Sequence, residues 1–129
     1  SANAVMAENL WHLGNLCEKS EWLEQSEAML HHMLQTVQRY PTSFARWATF
    51  LQRYSKGLQQ LIISGETASQ ELAAWQQLFH PEIFAMADVS GLDEGALKGK
   101  YIAGQTWCYL CAHFVCRQPV ARVNELELG

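Results

Sequence analysis

The helical spacing of apolar residues in the first 58 residues most constrains what this chain can fold into. Near the start, apolar side chains recur at steps of three or four and fall on one face of a helix spanning about 3–17; they are Ala2, Val5, Met6, Leu10, Leu13 and Cys17. Trp11 widens this stripe, Asn3 or Ser1 is suited to cap the helix, and Gly14 allows a close neighbour.

Two further helices follow with short connections. Ser20 is predicted to be the N-cap of the second helix, which Pro41 ends. The join at Lys19-Ser20 leaves room only for an antiparallel helical hairpin. Thr42 or Ser43 then begins a third helix. We therefore expect a helical segment over residues 1–58.

The pattern changes after this segment. Leu61–Ile63 and Ile83–Ala87 are apolar runs typical of buried strands, and a helix opened by a capping box at Thr67–Gln70 lies between them. A strand, a helix and a strand predict a right-handed crossover and a parallel pair. Asp88–Lys100 is predicted to be a surface loop, and Thr106–Leu110 a third strand before a turn near residues 112–113.

The predicted fold class is therefore mixed α and β. Antiparallel helices over 1–58 precede a small α/β unit over 59–129 with a mostly parallel three-stranded sheet, and together they form one compact domain or fragment. Residues 124–128 are typical of a helix that has just begun, and residues 1–3 lead directly into helical periodicity. We interpret the chain as a piece of a longer polypeptide.

Composition narrows the possible partners and location. The net charge is -4 and the nine Lys and Arg residues are scattered, so no basic stripe favours nucleic acid. No apolar run approaches the roughly 20 residues of a membrane span. Four cysteines without an export leader favour a reducing cytoplasm over a disulfide scaffold.

The densest group of chemically active side chains lies within residues 105–120. Cys108-x-x-Cys111 resembles a redox motif, but residues three apart on a strand point to opposite faces, which favours packing. Cys111 and Cys116 can meet across a turn, and two packed thiols are the favoured interpretation. A zinc site using Cys108, Cys111, His113 and Cys116 is the alternative, although all four lie within nine residues.

Other polar residues favour no chemistry. His31 and His32 are adjacent and point about 100° apart on a helix, so they do not share a metal ion easily. The carboxylates of Glu8 and Glu18 lack an acid–base spacing, and we expect them on the solvated surface.

Several segments together resemble one family. Gly99-Lys100, Gly104, Tyr109-Leu110-Cys111 and the ending Cys116-Arg117-Gln118-Pro119-Val120 look like the C-terminal signature of the YyaL-like proteins. These are also called spermatogenesis-associated thioredoxin-domain proteins. The opening Ser1–Leu10 is similar to the start of a late toroid helix in that family, so the resemblance covers nearly the whole chain. Cys108 is not part of the family pattern.

The resemblance implies a large parent protein. A thioredoxin-like domain would precede an α/α toroid similar to those of sugar epimerases and six-hairpin glycosidases, and this chain would supply the last hairpin and an α/β appendage. The implied partners are the rest of the polypeptide and a carbohydrate-like small molecule in the parent. Ser1 and Asn3 are the candidates to face its cavity, although helix capping is the favoured interpretation of both residues. Self-association through exposed apolar helix faces is a further expectation. We expect no cofactor and no catalysis from this chain alone.

Overall fold

The structure is a computed structural model and describes residues 1–128. It divides into two compact units, Ser1–Gly57 and a second that begins at Leu58. The first is helical, and the second combines one longer helix with a sheet. The mixed α and β class predicted from the sequence is confirmed.

Three helices form the first unit: α1 (Ala2–Leu16), α2 (Ser20–Arg39) and α3 (Ala45–Lys56). A Cβ added at Gly14 would lie 2.8 Å from Leu23 Cγ, so the predicted close neighbour of this glycine is confirmed. The buried Ser26 hydroxyl donates to the Ala7 carbonyl at 2.6 Å and joins α2 to α1. Within the described residues, no helix is long and apolar enough to cross a membrane.

The helix starts differ from the prediction at two of three places. Ser1 caps α1, where its hydroxyl accepts from the Ala4 N–H at 3.4 Å. Ser20 is the first residue of α2 rather than its cap. The third helix begins after Phe44, because the chain past Pro41 first makes a turn in which the Phe44 N–H bonds the Tyr40 carbonyl.

The apolar stripe predicted for α1 lies mostly on its exposed side. Val5, Met6 and Leu13 are exposed. Trp11, which widens the predicted stripe, is buried, and the other buried residues are shifted around the helix: Ala4, Ala7, Glu8 and Gly14. α1 therefore carries apolar side chains on two faces, only one of which is covered within this structure.

The second unit contains β1 (Gln59–Ser64), α4 (Ala68–Gln76), β2 (Ile83–Asp88), β3 (Trp107–Ala112) and β4 (Val115–Cys116). The strand order is β2-β1-β3-β4. β1 and β2 are parallel with α4 between them in sequence, which confirms the predicted parallel pair. Asp88, expected in the loop, is the last residue of β2.

The prediction of a mostly parallel, three-stranded sheet is wrong. The sheet has four strands, and β3 runs antiparallel to β1, with Ser64 opposite Trp107 and Gln59 opposite Ala112. The long connection before β3, all of it described by the structure, contains a 3-10 turn at Gly95–Leu97 and an isolated bridge between Ile102 and Gln105 but no α-helix, so no crossover helix returns the chain in parallel. β4 then pairs antiparallel with β3 and is too short for periodicity to reveal.

The core of this unit lies on the α4 side of the sheet. Leu61 and Ile63 from β1 and Trp75 from α4 pack there with Cys108 and Leu110 from β3. The prediction of a helix at the C-terminus is wrong, because the chain makes a 3-10 turn at Val123–Glu125 and then continues in an extended conformation. Leu126 and Leu128 pack against the same core, and this contact accounts for the extended path.

Gly65, which connects β1 to α4, offers a direct test of this packing. Its φ is +145°, and an added Cβ would lie 2.4 Å from the Gln105 carbonyl oxygen and 2.5 Å from Thr106 Cα. We expect Gly65→Ala to lower the free energy of unfolding by about 3 kcal/mol or more, from backbone strain and overpacking. Denaturant titration measures this change.

Gly104→Ala is the matched control. Gly104 also has a positive φ, +79°, but no atom lies within 4 Å of its added Cβ. Only the conformational cost of about 1–2 kcal/mol is expected there. Equal losses for the two variants would contradict the close approach at Gly65.

Candidate thiol site

The site is a β-hairpin whose strands are joined by sulfur. Cys111 in β3 is directly opposite Cys116 in β4, and the two form a disulfide with an S–S distance of 2.00 Å and a Cα–Cα distance of 3.9 Å. The sequence predicts that these cysteines meet across a turn, and they do. The favoured interpretation of two free packed thiols is wrong, because the sulfurs are bonded.

The turn of this hairpin consists of His113 and Phe114, with φ values of +52° and +63°. Two successive residues with positive φ are typical of the tight turns that suit antiparallel strands, which usually contain Asn-Gly. Each non-glycine residue here costs roughly 1–2 kcal/mol. The sequence predicts a turn near residues 112–113 but not the second strand of the hairpin, because the turn lacks the residues that usually mark a hairpin and β4 is only two residues long.

The family-like ending after Cys116 forms an irregular edge to the sheet. The Arg117 N–H bonds the Leu110 carbonyl at 2.9 Å, and Cys108 and Val120 exchange two backbone hydrogen bonds. The chain therefore advances three residues from Arg117 to Val120 while β3 advances two residues between Leu110 and Cys108. The extra residue makes a bulge around Pro119. Proline has no N–H to donate, and a bulged edge discourages pairing with other chains.

The structure does not bring the four predicted zinc ligands together. Cys108 lies in the core on the α4 side, whereas Cys111 is on the opposite face of the same strand. His113 is exposed at the turn. Across residues 1–128, no group of three or more His, Cys, Asp or Glu side chains could hold a metal ion.

The two remaining cysteines differ in reactivity. Burial, together with the charges of Glu71 and Glu125, raises the pKa of the Cys108 thiol to about 12. Cys17, at the end of α1, is exposed. Because the thiolate is the nucleophile, Cys108 is inert at neutral pH.

Gln60 is a residue of this site that sequence reasoning missed. It lies in β1 directly opposite Cys111, so Gln60, Cys111 and Cys116 form a row across three strands on one face. Gln60 is 9% exposed, and its Nε2 has no hydrogen-bond partner within the described part of the chain. The signal that could have revealed it is a polar residue directly before the apolar run Leu61–Ile63, because a polar side chain buried in a strand needs a partner.

A second polar pair lies where the parallel strands end. Ser64 and Asp88 are register partners at the carboxyl ends of β1 and β2, and both are buried. Asp88 Oδ1 accepts from the Ser90 and Gly91 N–H groups at 3.1 and 3.0 Å. Asp88 Oδ2 and Ser64 Oγ have no partner within residues 1–128.

The residues expected to face a cavity in the parent lie at the start of α1. Ser1 uses its hydroxyl as the helix cap, and both Ser1 and Asn3 are exposed. His31 and His32 are exposed on α2, as expected for solvent-facing histidines. No contact within the described residues assigns Ser1 or Asn3 a ligand.

Glu8, expected on the surface, is buried in the helical unit. Its carboxylate pairs with Arg53 and with Arg46, whose Nη2 lies 2.6 Å from Glu8 Oε2. His12 Nε2 lies 3.8 Å from Glu8 Oε1. Glu8 is one helical turn from the buried Ala4 and Trp11, and a charge at such a position requires partners of opposite sign.

This cluster predicts a pH dependence through His12. Burial lowers the pKa of His12 below its ordinary value of 6.5; Glu8 opposes this shift, and Arg53 and Arg46 reinforce it. The unfolded chain therefore binds more protons than the folded chain as pH falls below about 6.5. We expect the free energy of unfolding to fall between pH 7 and pH 5.5, and to fall less in His12→Gln.

Urea titrations at several pH values measure this difference. His32→Gln, which removes an exposed histidine of α2, is the control and should retain the wild-type pH dependence. If both variants follow the wild-type curve, His12 does not carry the proton linkage.

Comparison with known proteins identifies one distant relative. No family model matches this sequence, and no solved structure matches it. Uncharacterized protein B0495.5 of Caenorhabditis elegans is 22% identical over 135 residues, which cover 98% of this chain and 18% of that protein. The chain thus spans less than a fifth of the length of this relative.

Proposed function

We propose that this chain is the C-terminal structural part of a YyaL-like thioredoxin-domain protein. In this proposal the helical unit completes the last hairpin of an α/α toroid similar to those of sugar epimerases and six-hairpin glycosidases. The α/β unit is its appendage, and the protein is cytoplasmic. The chain contributes structure and no catalysis of its own.

The single observation that carries this proposal is the second apolar face of α1. Met6 is 55% exposed and Leu13 is 47% exposed, and they lie one heptad apart on the side opposite the buried residues. A helix that is apolar on both sides is normally covered on both sides. The much greater length of the relative supports a parent with enough chain to cover it.

In the parent, the missing toroid helices would cover Met6 and Leu13. Ser1 and Asn3, at the start of the same helix, would then lie near the mouth of the toroid, where a carbohydrate-like molecule binds. In the isolated chain the same apolar face would be open to a second copy, which gives a homo-oligomer through exposed helix faces.

The double variant Met6→Gln, Leu13→Gln tests this proposal. In the isolated chain, at concentrations low enough for it to be monomeric, we expect the free energy of unfolding to change by less than about 0.5 kcal/mol, because both side chains are exposed. In the longer parent protein we expect a loss of at least about 2 kcal/mol, because two amides would be buried without partners. Denaturant titrations of both proteins measure the change.

The control is Gln35→Ala, Gln38→Ala, which alters two exposed polar positions on α2. This variant should be nearly neutral in both proteins. If the double glutamine variant changes the free energy of unfolding of the parent protein as little as that of the isolated chain, the proposed burial of this face is contradicted.

A second candidate function is favoured by the disulfide. We propose that Cys111 and Cys116 form a thiol-dependent module that cycles between the dithiol and the disulfide. The supporting observation is that the two sulfurs are joined across the edge hairpin while Cys108 is separate and inert. The alternative is a metal-dependent module in which the same two cysteines bind zinc. Zinc binding would require both thiols to be free.

Alkylation counted by mass spectrometry tests the module. At pH 8 without reductant we expect modification of Cys17 alone; after reduction we expect Cys111 and Cys116 to react as well, whereas Cys108 requires denaturant because its pKa is about 12. Elemental analysis of protein purified without added metal is run in parallel. Stoichiometric zinc, or four free thiols in air-exposed protein, would contradict the thiol–disulfide form.

A further inference from the structure

We infer that Gln60, Cys111 and Cys116 form a thiol–disulfide exchange site. An incoming thiolate attacks Cys116, and the Gln60 amide stabilises the thiolate that this attack releases at Cys111. The inference rests on the second proposed function, because it assigns roles within the same cysteine pair. The substrate class is a thiol.

Access decides which sulfur is attacked. Cys111 is only 4% exposed and lies in β3, which has a strand on either side. Cys116 is partly exposed and lies in β4, the edge strand. Exchange requires that the attacking thiolate reach a disulfide sulfur. Cys116 is the more exposed of the two residues, so Cys116 is the attacked sulfur and Cys111 is the leaving group.

The row across the strands places an amide donor beside this leaving group. Gln60 and Cys111 are register partners on one face of β1 and β3, where opposed Cβ atoms lie about 4.5–5.5 Å apart. Within the described residues, Gln60 Nε2 is buried without a partner, and leaving a buried donor unpaired is unfavourable. A thiolate at Cys111 gives this donor a charged acceptor, and hydrogen bonds to charged groups are stronger than neutral ones.

The exchange balances as a two-electron reaction. A thiolate R–S⁻ bonds to Cys116 Sγ, the Cys111–Cys116 bond breaks, and its electron pair remains on Cys111 Sγ. A second R–S⁻ then attacks the sulfur of R, which forms R–S–S–R and leaves Cys116 as a thiolate. The two thiols are oxidised, the protein disulfide is reduced, and both cysteine thiolates equilibrate with solvent protons.

Trapping the intermediate tests the assignment of the two sulfurs. Cys111→Ser lacks the resolving thiol, so treatment with oxidised glutathione should leave a stable mixed disulfide on Cys116. Cys116→Ser retains only the buried Cys111 at this site and should be modified at least about tenfold more slowly, because access limits exchange. Mass spectrometry of peptides locates the glutathione in both variants, each in a Cys17→Ser background.

The same assignment can be tested in the wild-type protein, which does not depend on whether the variants fold. Reduction by glutathione, quenched with iodoacetamide, should show glutathione on Cys116 and the alkyl group on Cys111. A parallel reaction with reduced thioredoxin, a protein dithiol, distinguishes a small thiol from a protein thiol as the reductant. Reduction by neither reagent without denaturant, or glutathione on Cys111, would overturn the inference.

The role of Gln60 has a separate readout. In a Cys17→Ser, Cys116→Ser background, the ultraviolet absorbance of the thiolate gives the pKa of Cys111. Gln60→Met removes the donor and should raise this pKa by about one unit, the effect of losing one charge-assisted hydrogen bond. Gln59→Met is the matched control, because the neighbouring Gln59 lies on the other face of β1 and should leave the pKa unchanged.

The outcomes separate this inference from the function on which it rests. If the cysteines never cycle in the wild-type protein, the thiol-dependent module itself is wrong. If they cycle but Gln60→Met and Gln59→Met give the same pKa for Cys111, only the role of Gln60 is wrong.

Discussion

The pairing of β1 with a strand on each side is the constraint on which the C-terminal unit depends. Gln60–Ser64 are all buried, and this strand bonds β2 in parallel and β3 in antiparallel orientation. A strand with both edges and both faces occupied fixes the register of its neighbours, because a slip by one residue would reverse every side chain. That register places Gln60 opposite Cys111 and, through β3, sets the hairpin that joins Cys111 to Cys116.

The helical unit is organised around a buried charge as well as apolar contact. Glu8 is held between Arg46 and Arg53 of α3, and Trp11 packs against Phe50 from the same helix. These contacts occupy one side of α1 and leave Met6 and Leu13 exposed on the other. Under our proposal, this division of faces is the physical reason that the chain needs further helices of a longer parent protein.

The sequence predicted the elements that periodicity encodes and missed those that depend on long-range pairing. All three helices of the first unit and the β1–α4–β2 pair follow from apolar spacing, whereas Ser1 is the one predicted cap whose side chain makes a capping hydrogen bond in the described residues. The antiparallel return of β3 depends on which edge of β1 is open, and β4 is two residues long. A turn near residues 112–113 was predicted, but its two-residue hairpin form was not, because His113 and Phe114 are not among the residues that usually mark such turns.

The candidate site was predicted only in part for similar reasons. Spacing brought Cys111 and Cys116 together across a turn, but the bond between them and the position of Gln60 depend on strand register. For Glu8, the sequence showed a charge within a helical pattern, but its arginine partners lie far along the chain in α3. Local spacing carries no information about such partners until the helices pack.

The central claim is that the sheet stays folded whether or not Cys111 and Cys116 are joined. Hydrogen exchange of the oxidised and the reduced chain tests this claim most directly. The disulfide closes a short loop, with a sequence separation of 5, and such a loop contributes only about 2 kcal/mol. We predict that the amides of β1 remain protected after reduction and that only β4 and its turn exchange faster. Loss of protection throughout β1 on reduction would contradict the account and make the disulfide a structural crosslink.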